Sequence, residues 1–197
     1  MSSREARWDK VMIGAQSETL LFTAMQNAAS GLSRMTGKPI TIDRPRARLV
    51  PISQIGNWVG GPEAEMVGIY LLMTEDLPGQ AIMMMPLNQA LRLVDLILGA
   101  APGSSVSLGD LERSALAEAG NIAVACFLNA LGAMVGTEAR PSPPAVIVDM
   151  LGAILDVVAT SAASVSDNLL IVESAFKYPE GAIQVHFWVL PELSVEA

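Results

Sequence analysis

The chain says the same thing twice. Ser17 to Met35 sets apolar residues at helical spacing through Phe22, Met25, Ala29 and Leu32, and ends at Gly37 with Pro39 just beyond. Leu108 to Val135 repeats the pattern and ends at Gly136, before "RPSPP". Each helical stretch leads into a short apolar run, "ARLVPI" in the first half and "AVIVDM" in the second, which reads as a buried strand. Each half then closes with a hairpin: "EMVGIYLLMTED" turns through "LPG" into "QAIMMMP", and "NLLIVESAFKY" turns through "PEG" into "AIQVHFWVLP". This duplication constrains the fold because one hairpin alone cannot cover its own apolar face. The expectation is an α+β single domain of two pseudo-twofold-related halves. In it, the two long helices pack on a central, mostly antiparallel sheet of about six strands. That domain spans residues 1–197, its first half about 13–100 and its second about 106–193. The amphipathic stretch "LNQALRLVDLILGAAPGS" joins the halves through a Gly/Pro/Ser linker near Ala101 to Ser105.

Composition narrows the chemistry. A single cysteine, Cys126, cannot form an internal disulfide, and a single His186 leaves no constellation for a transition metal. The net charge of −8 opposes phosphate backbones and anionic lipid, so nucleic acid is not an expected partner. Acidic residues such as Asp76, Asp95, Asp149 and Asp156 interrupt the apolar stretches, and no membrane span is expected. The N-terminus "MSSREARWDK" has no apolar run behind it, so neither a secretory signal nor an anchor is expected and the chain reads as cytoplasmic.

The second long helix carries "SALAEAGN", Ser114 to Asn121, and this stretch raises the functional question. At ~100° per residue, Ser114, Glu118, Asn121, Ala125 and Asn129 fall within a stripe about 80° wide, with Leu116, Ala119, Ala123 and Phe127 opposite. A helix face that is merely solvated more often carries paired Lys and Glu. This one has no lysine and offers short side chains on a flat surface.

Ser114-x3-Glu118-x2-Asn121, followed by 22 residues and then Pro144, resembles the signature of the CheC/CheX/FliY family of chemotaxis phosphatases. The resemblance extends through "NAASGLSRMTGKPI", "GGPEAEMVGIYLLM", "LNQALRLVDLILGAAPGS" and "PSPPAVIVDMLGAILD", and is nearest CheC, since no further flagellar-switch domain follows. It implies hydrolysis of the aspartyl phosphate on a CheY-like response regulator. Asn121 would orient the attacking water, Glu118 would pair with the receiver's lysine, and Ser114 would bond at the docking edge. Pro144 has no side-chain chemistry and would shape the chain beside the helix. No intrinsic cofactor is implied, because the phosphorylated receiver brings its own magnesium ion.

The family also implies a second partner, a CheD-like receptor deamidase that docks on the helix after Pro144. Asp149 stands at its start, as a docking carboxylate or a helix cap. A pure binding module of this kind, or a flagellar-switch scaffold, is the alternative to an enzyme. In the first half, superposition at an offset of 94 puts Leu20, Ala24 and Asn27 on Ser114, Glu118 and Asn121, and Phe22 on Leu116. Lacking a carboxylate, that half is expected to hold a degenerate site.

Overall fold

The computed structural model describes residues 10, 18–51, 54–55, 61–74, 77–134, 136, 140–162 and 168–192. Among them are four helices and eight strands; each half runs long helix, two short strands and a hairpin, but its second helix follows the hairpin in the first half and precedes it in the second. The first half runs α1 (Glu18–Thr36), β1 (Thr41–Ile42), β2 (Arg46–Pro51), β3 (Glu65–Thr74), β4 (Gly79–Pro86) and α2 (Leu87–Leu98). The second runs α3 (Asp110–Met134), β5 (Arg140–Pro141), β6 (Ala145–Met150), α4 (Leu151–Ala162), β7 (Asn168–Tyr178) and β8 (Gly181–Pro191).

The strands form one sheet, ordered β1-β7-β8-β4-β3-β5, with β2 in line with β1 on β7 and β6 in line with β5 on β3. Every pairing is antiparallel. The width is therefore the six strands read from the sequence, with each outer position filled by two short segments. Those outer segments are exchanged between the halves. First-half β2 pairs with second-half β7, Arg46 opposite Glu173, and second-half β6 pairs with first-half β3, Glu65 opposite Met150. The hairpins meet at the centre, where β4 pairs with β8 and Met84 lies opposite His186.

Alternation along the strands builds two cores. On one face Val67, Ile69, Leu71, Met83, Met85, Val172 and Phe187 pack beneath α1, α2 and α3. On the other, Met66, Ile82, Met84, Ile171 and Trp188 pack against Leu151, Ile154 and Val158 of α4. The methionines of "AIMMMP" thus fill both cores, and Met83, Met84 and Met85 are all fully buried.

The residues 110–133 form a helix long and apolar enough to cross a membrane by length and composition, which the inventory of interrupting acids does not anticipate. Most of its large side chains turn inward: Leu116, Val124, Phe127 and Leu128 are at most 1% exposed. Phe127 stacks against Phe187 of β8 at 4.8 Å between ring centroids, and Phe187 meets Phe176 edge-on at 6.4 Å.

Candidate functional site

Helix α3 sets out the face that the sequence pattern singles out. Its apolar side seats on β3 through Gly120, where any Cβ would lie 2.3 Å from Ile69 Cγ2. Only glycine permits that approach. With Leu116, Ala119, Ala123 and Phe127 buried, Ser114, Glu118 and Asn129 are exposed and Asn121 and Ala125 lie at the margin, half-buried. The structure thus brings Ser114, Glu118 and Asn121 onto one outward surface, spanning about 10 Å along the helix axis. An amide one turn from a carboxylate can hold a water by both an acceptor and a donor, while the carboxylate receives a cation.

Pro144 immediately precedes the edge strand β6, a position that needs no N–H from it. The segment before it is pinned to β3: Ser142 donates its backbone N–H to Leu72 O at 2.7 Å, and its Oγ accepts from Leu72 N at 3.0 Å.

The first half corrects the superposition. Ala24, set against Glu118 by sequence, is fully buried, and Phe22, set against Leu116, is 42% exposed. Burial aligns the helices five residues further on: Leu21, Ala24, Met25, Ala28, Ala29 and Leu32 match Gly120, Ala123, Val124, Phe127, Leu128 and Leu131, all buried, and the same offset carries Gly37 onto Gly136, each at positive φ just past its helix. A five-residue slip turns a helix by a net ~140°, enough to exchange its faces. On this register the counterparts of Glu118 and Asn121 are Thr19 and Phe22, both exposed, rather than Ala24 and Asn27, and the counterpart of Ser114, in place of Leu20, falls outside the described residues. Thr23 Oγ1 donates back to Thr19 O at 2.9 Å. No carboxylate stands at the counterpart of Glu118, while Pro45 precedes β2 as Pro144 precedes β6.

Asp149 lies on β6, not at the start of a helix, and its Oδ1 accepts from the backbone N–H of Met150 at 2.8 Å. The first N–H groups of α4 go elsewhere, from Leu151 to Ala64 O and from Gly152 to Pro62 O. Asp149 does not cap α4, and Gly152, read as part of an open small-residue face, already has Pro62 against it.

Two polar arrangements escaped the sequence pattern. Asp95, 3% exposed at the end of α2, accepts from Gly103 N at 2.6 Å, Ser105 N at 2.9 Å and Ser104 Oγ at 3.0 Å, fixing the connection between the halves. Burial pushes this carboxyl up, but the bonds from Ser105, Gly103 and Ser104 outweigh it and hold Asp95 below the ordinary carboxylate value. Glu173 lies between Arg48, at 3.4 Å, and His186 Nδ1, at 3.7 Å. Burial pushes the His186 imidazole down, opposed by the Glu173 charge. Among the described residues, no three His, Cys, Asp or Glu side chains gather as a metal site would require.

No protein-family model matches the chain. Over 170 residues, 84% of this chain and 81% of the relative, it is 26% identical to the CheY-P phosphatase CheC of Bacillus subtilis (strain 168). Over 119 residues, 60% of each chain, it is 24% identical to CheC1 of Halobacterium salinarum. In structure it is similar to Thermotoga maritima FliY, with a TM-score of 0.71 at 21% identity over 92% of this chain and 89% of that one. The FliM middle domain of Vibrio alginolyticus shares the fold as well, with a TM-score of 0.62 at 12% identity over 89% of this chain and 94% of that one. Sequence likeness to CheC thus runs along most of both chains, and the fold is shared with FliY.

Proposed function

We propose that the chain is a phosphatase that hydrolyses the aspartyl phosphate of a CheY-like receiver domain. One observation carries this reading: Glu118 and Asn121 stand one turn apart on the outward face of α3, a face with no lysine or arginine to compete for the carboxylate. The activity in the name of the Bacillus subtilis relative supports it. Phosphoryl transfer leaves little covalent chemistry to a protein, and positioning with electrostatic stabilisation supplies most of the rate. In this reading the Asn121 carbonyl accepts a hydrogen bond from a water held in line with the phosphorus. The water oxygen bonds to phosphorus as the bond to the aspartyl oxygen breaks, returning the carboxylate and releasing inorganic phosphate. Glu118 receives the receiver's lysine and fixes the register, Ser114 bonds at the edge, and the magnesium ion belongs to the substrate. The work is that of a cytoplasmic signalling enzyme with one working site.

A deamidase-docking surface is compatible with this activity. Asp149 favours it, since its exposed carboxylate does not cap α4 and is open to a partner. The likeness to FliM is one of fold and does not favour a switch scaffold over an enzyme. The deciding experiment mixes the purified chain with receiver domains charged by a small phosphodonor and follows phosphate loss. Faster loss supports the phosphatase; binding without acceleration across the panel leaves only the docking module.

A further inference from the structure

Leu111 is 63% exposed at the head of the face that carries Ser114, Glu118 and Asn121. A single exposed leucine is ordinary on a protein surface. This one is set apart by its phase. Leu111, Glu118 and Ala125 are separated by seven residues each and therefore lie on one line along the helix. Every other large apolar residue of α3 whose side chain is described turns inward: Leu116, Val124, Phe127, Leu128 and Leu131 are at most 1% exposed, and Ile122 packs against Gly31 of α1. Val106, just ahead of the helix, is a second exposed aliphatic at 84%. The face holds two carboxylates, Asp110 and Glu118, and no cation.

A macromolecular substrate demands more than the Glu118 and Asn121 side chains present. A specific protein interface covers about 800 Å² on each partner, a disc of radius ~16 Å. Leu111 lies ten residues, or ~15 Å, from Asn121 along the axis, within such a disc centred on the reacting phosphate. Interfaces of this size draw most of their energy from a few anchoring residues, ringed by contacts that exclude water.

We infer that Leu111 is the apolar anchor by which the chain seats its phosphorylated receiver, in a depression of the receiver bordered by basic side chains. This rests on the phosphatase reading and adds a specificity-determining residue to it. Leu111 acts on affinity, not on the reacting atoms, so its loss changes KM and leaves kcat.

The test compares Leu111→Asp and Leu111→Ala with Val157→Asp, a change at a 54%-exposed apolar residue on α4, across the sheet. Binding is read by titrating each protein with a CheY receiver charged with beryllofluoride and magnesium, and turnover with the same receiver phosphorylated. The expected result for Leu111→Asp is a Kd and KM raised at least tenfold with kcat within twofold and the melting temperature unchanged. Leu111→Ala should follow in the same direction by a smaller factor, and Val157→Asp should match the wild type. Unchanged Kd and KM in Leu111→Asp, or equal weakening by Val157→Asp, overturns the anchor and leaves the phosphatase standing. A wild type that binds the charged receiver without hydrolysing it overturns the phosphatase instead, and the Kd series alone then decides the anchor.

Discussion

Asp95 shows how one buried charge organises the connection between the halves. Its two oxygens accept from Gly103, Ser104 and Ser105, so a Gly/Pro/Ser stretch that reads as a loose linker is tied to the end of α2. Replacing it by alanine leaves two backbone donors without their acceptor, while the Ser104 hydroxyl keeps Ala101 O at 2.7 Å. Hydrogen bonds to a charged group are worth about 1.5–3 kcal/mol each, and Asp95→Ala should destabilise the fold by about 2–3 kcal/mol in chemical denaturation. The pH dependence has a fixed sign. A carboxyl held below its ordinary value of 3.8 stabilises the fold above that pH, and the contribution is lost as pH falls through the lower folded value. The gap between wild type and Asp95→Asn should therefore be full at pH 7 and close below about pH 4; a gap that stays constant to pH 2 would remove the charge from the account. None of this is legible in the sequence, because an Asp in an amphipathic helix reads as solvent-facing until the chain beyond Gly99 is seen to fold back over it.

At the scale of elements, two glycines set the depth of the helical layer. Gly120 brings α3 onto Ile69 of β3, and Gly31 brings α1 onto Ile122, where a Cβ would lie 2.6 Å from Cγ2. Gly120→Ala has no flexible side-chain end to displace, since the close atoms include Ile69 Cβ at 2.9 Å. Overpacking of this kind costs about 1–3 kcal/mol. Thermal melting should show the loss although alanine is the better helix former, and a stabilised Gly120→Ala would contradict the seating described here. The same helices mark the limit of reading elements from sequence. In α3 the polar stripe is plain, because Ser114, Glu118 and Asn121 interrupt an otherwise apolar helix at turn spacing. In α1 the matching of Asn27 to Asn121 hides a five-residue slip, because alanines lie on several faces of both helices and a small side chain marks neither inside nor outside. Phe22 was the informative residue, being too large to share the buried place of Leu116 while 42% exposed.

Across the whole molecule, exchange of the outer strands makes the halves interdependent. Hairpin β7–β8 is completed by β1 and β2 from the first half, and hairpin β3–β4 by β5 and β6 from the second. Two similar halves read alike whether strands pair within or between them, so the duplication and six-strand width were legible and the exchange was not. An isolated segment covering residues 13–100 should accordingly stay unfolded by circular dichroism, lacking a partner for each outer edge, and a cooperatively melting fragment would refute that interdependence. The duplicated frame carries two outward helix faces of unequal chemistry: Ser114, Glu118 and Asn121 on α3, and Thr19 and Phe22 on α1. The central claim is that hydrolysis depends on the first of these alone. Single-turnover dephosphorylation of a charged CheY receiver, with wild type, Asn121→Ala and the double variant Thr19→Ala/Asn27→Ala at saturating concentration, tests it most directly. Removing one preorganised group at a reacting centre typically costs about 10²–10³ in rate. The account predicts a loss of that order in Asn121→Ala, with receiver binding and melting temperature retained, and no loss in the double variant. Wild-type turnover in Asn121→Ala, or about half the rate lost in the double variant, would contradict it.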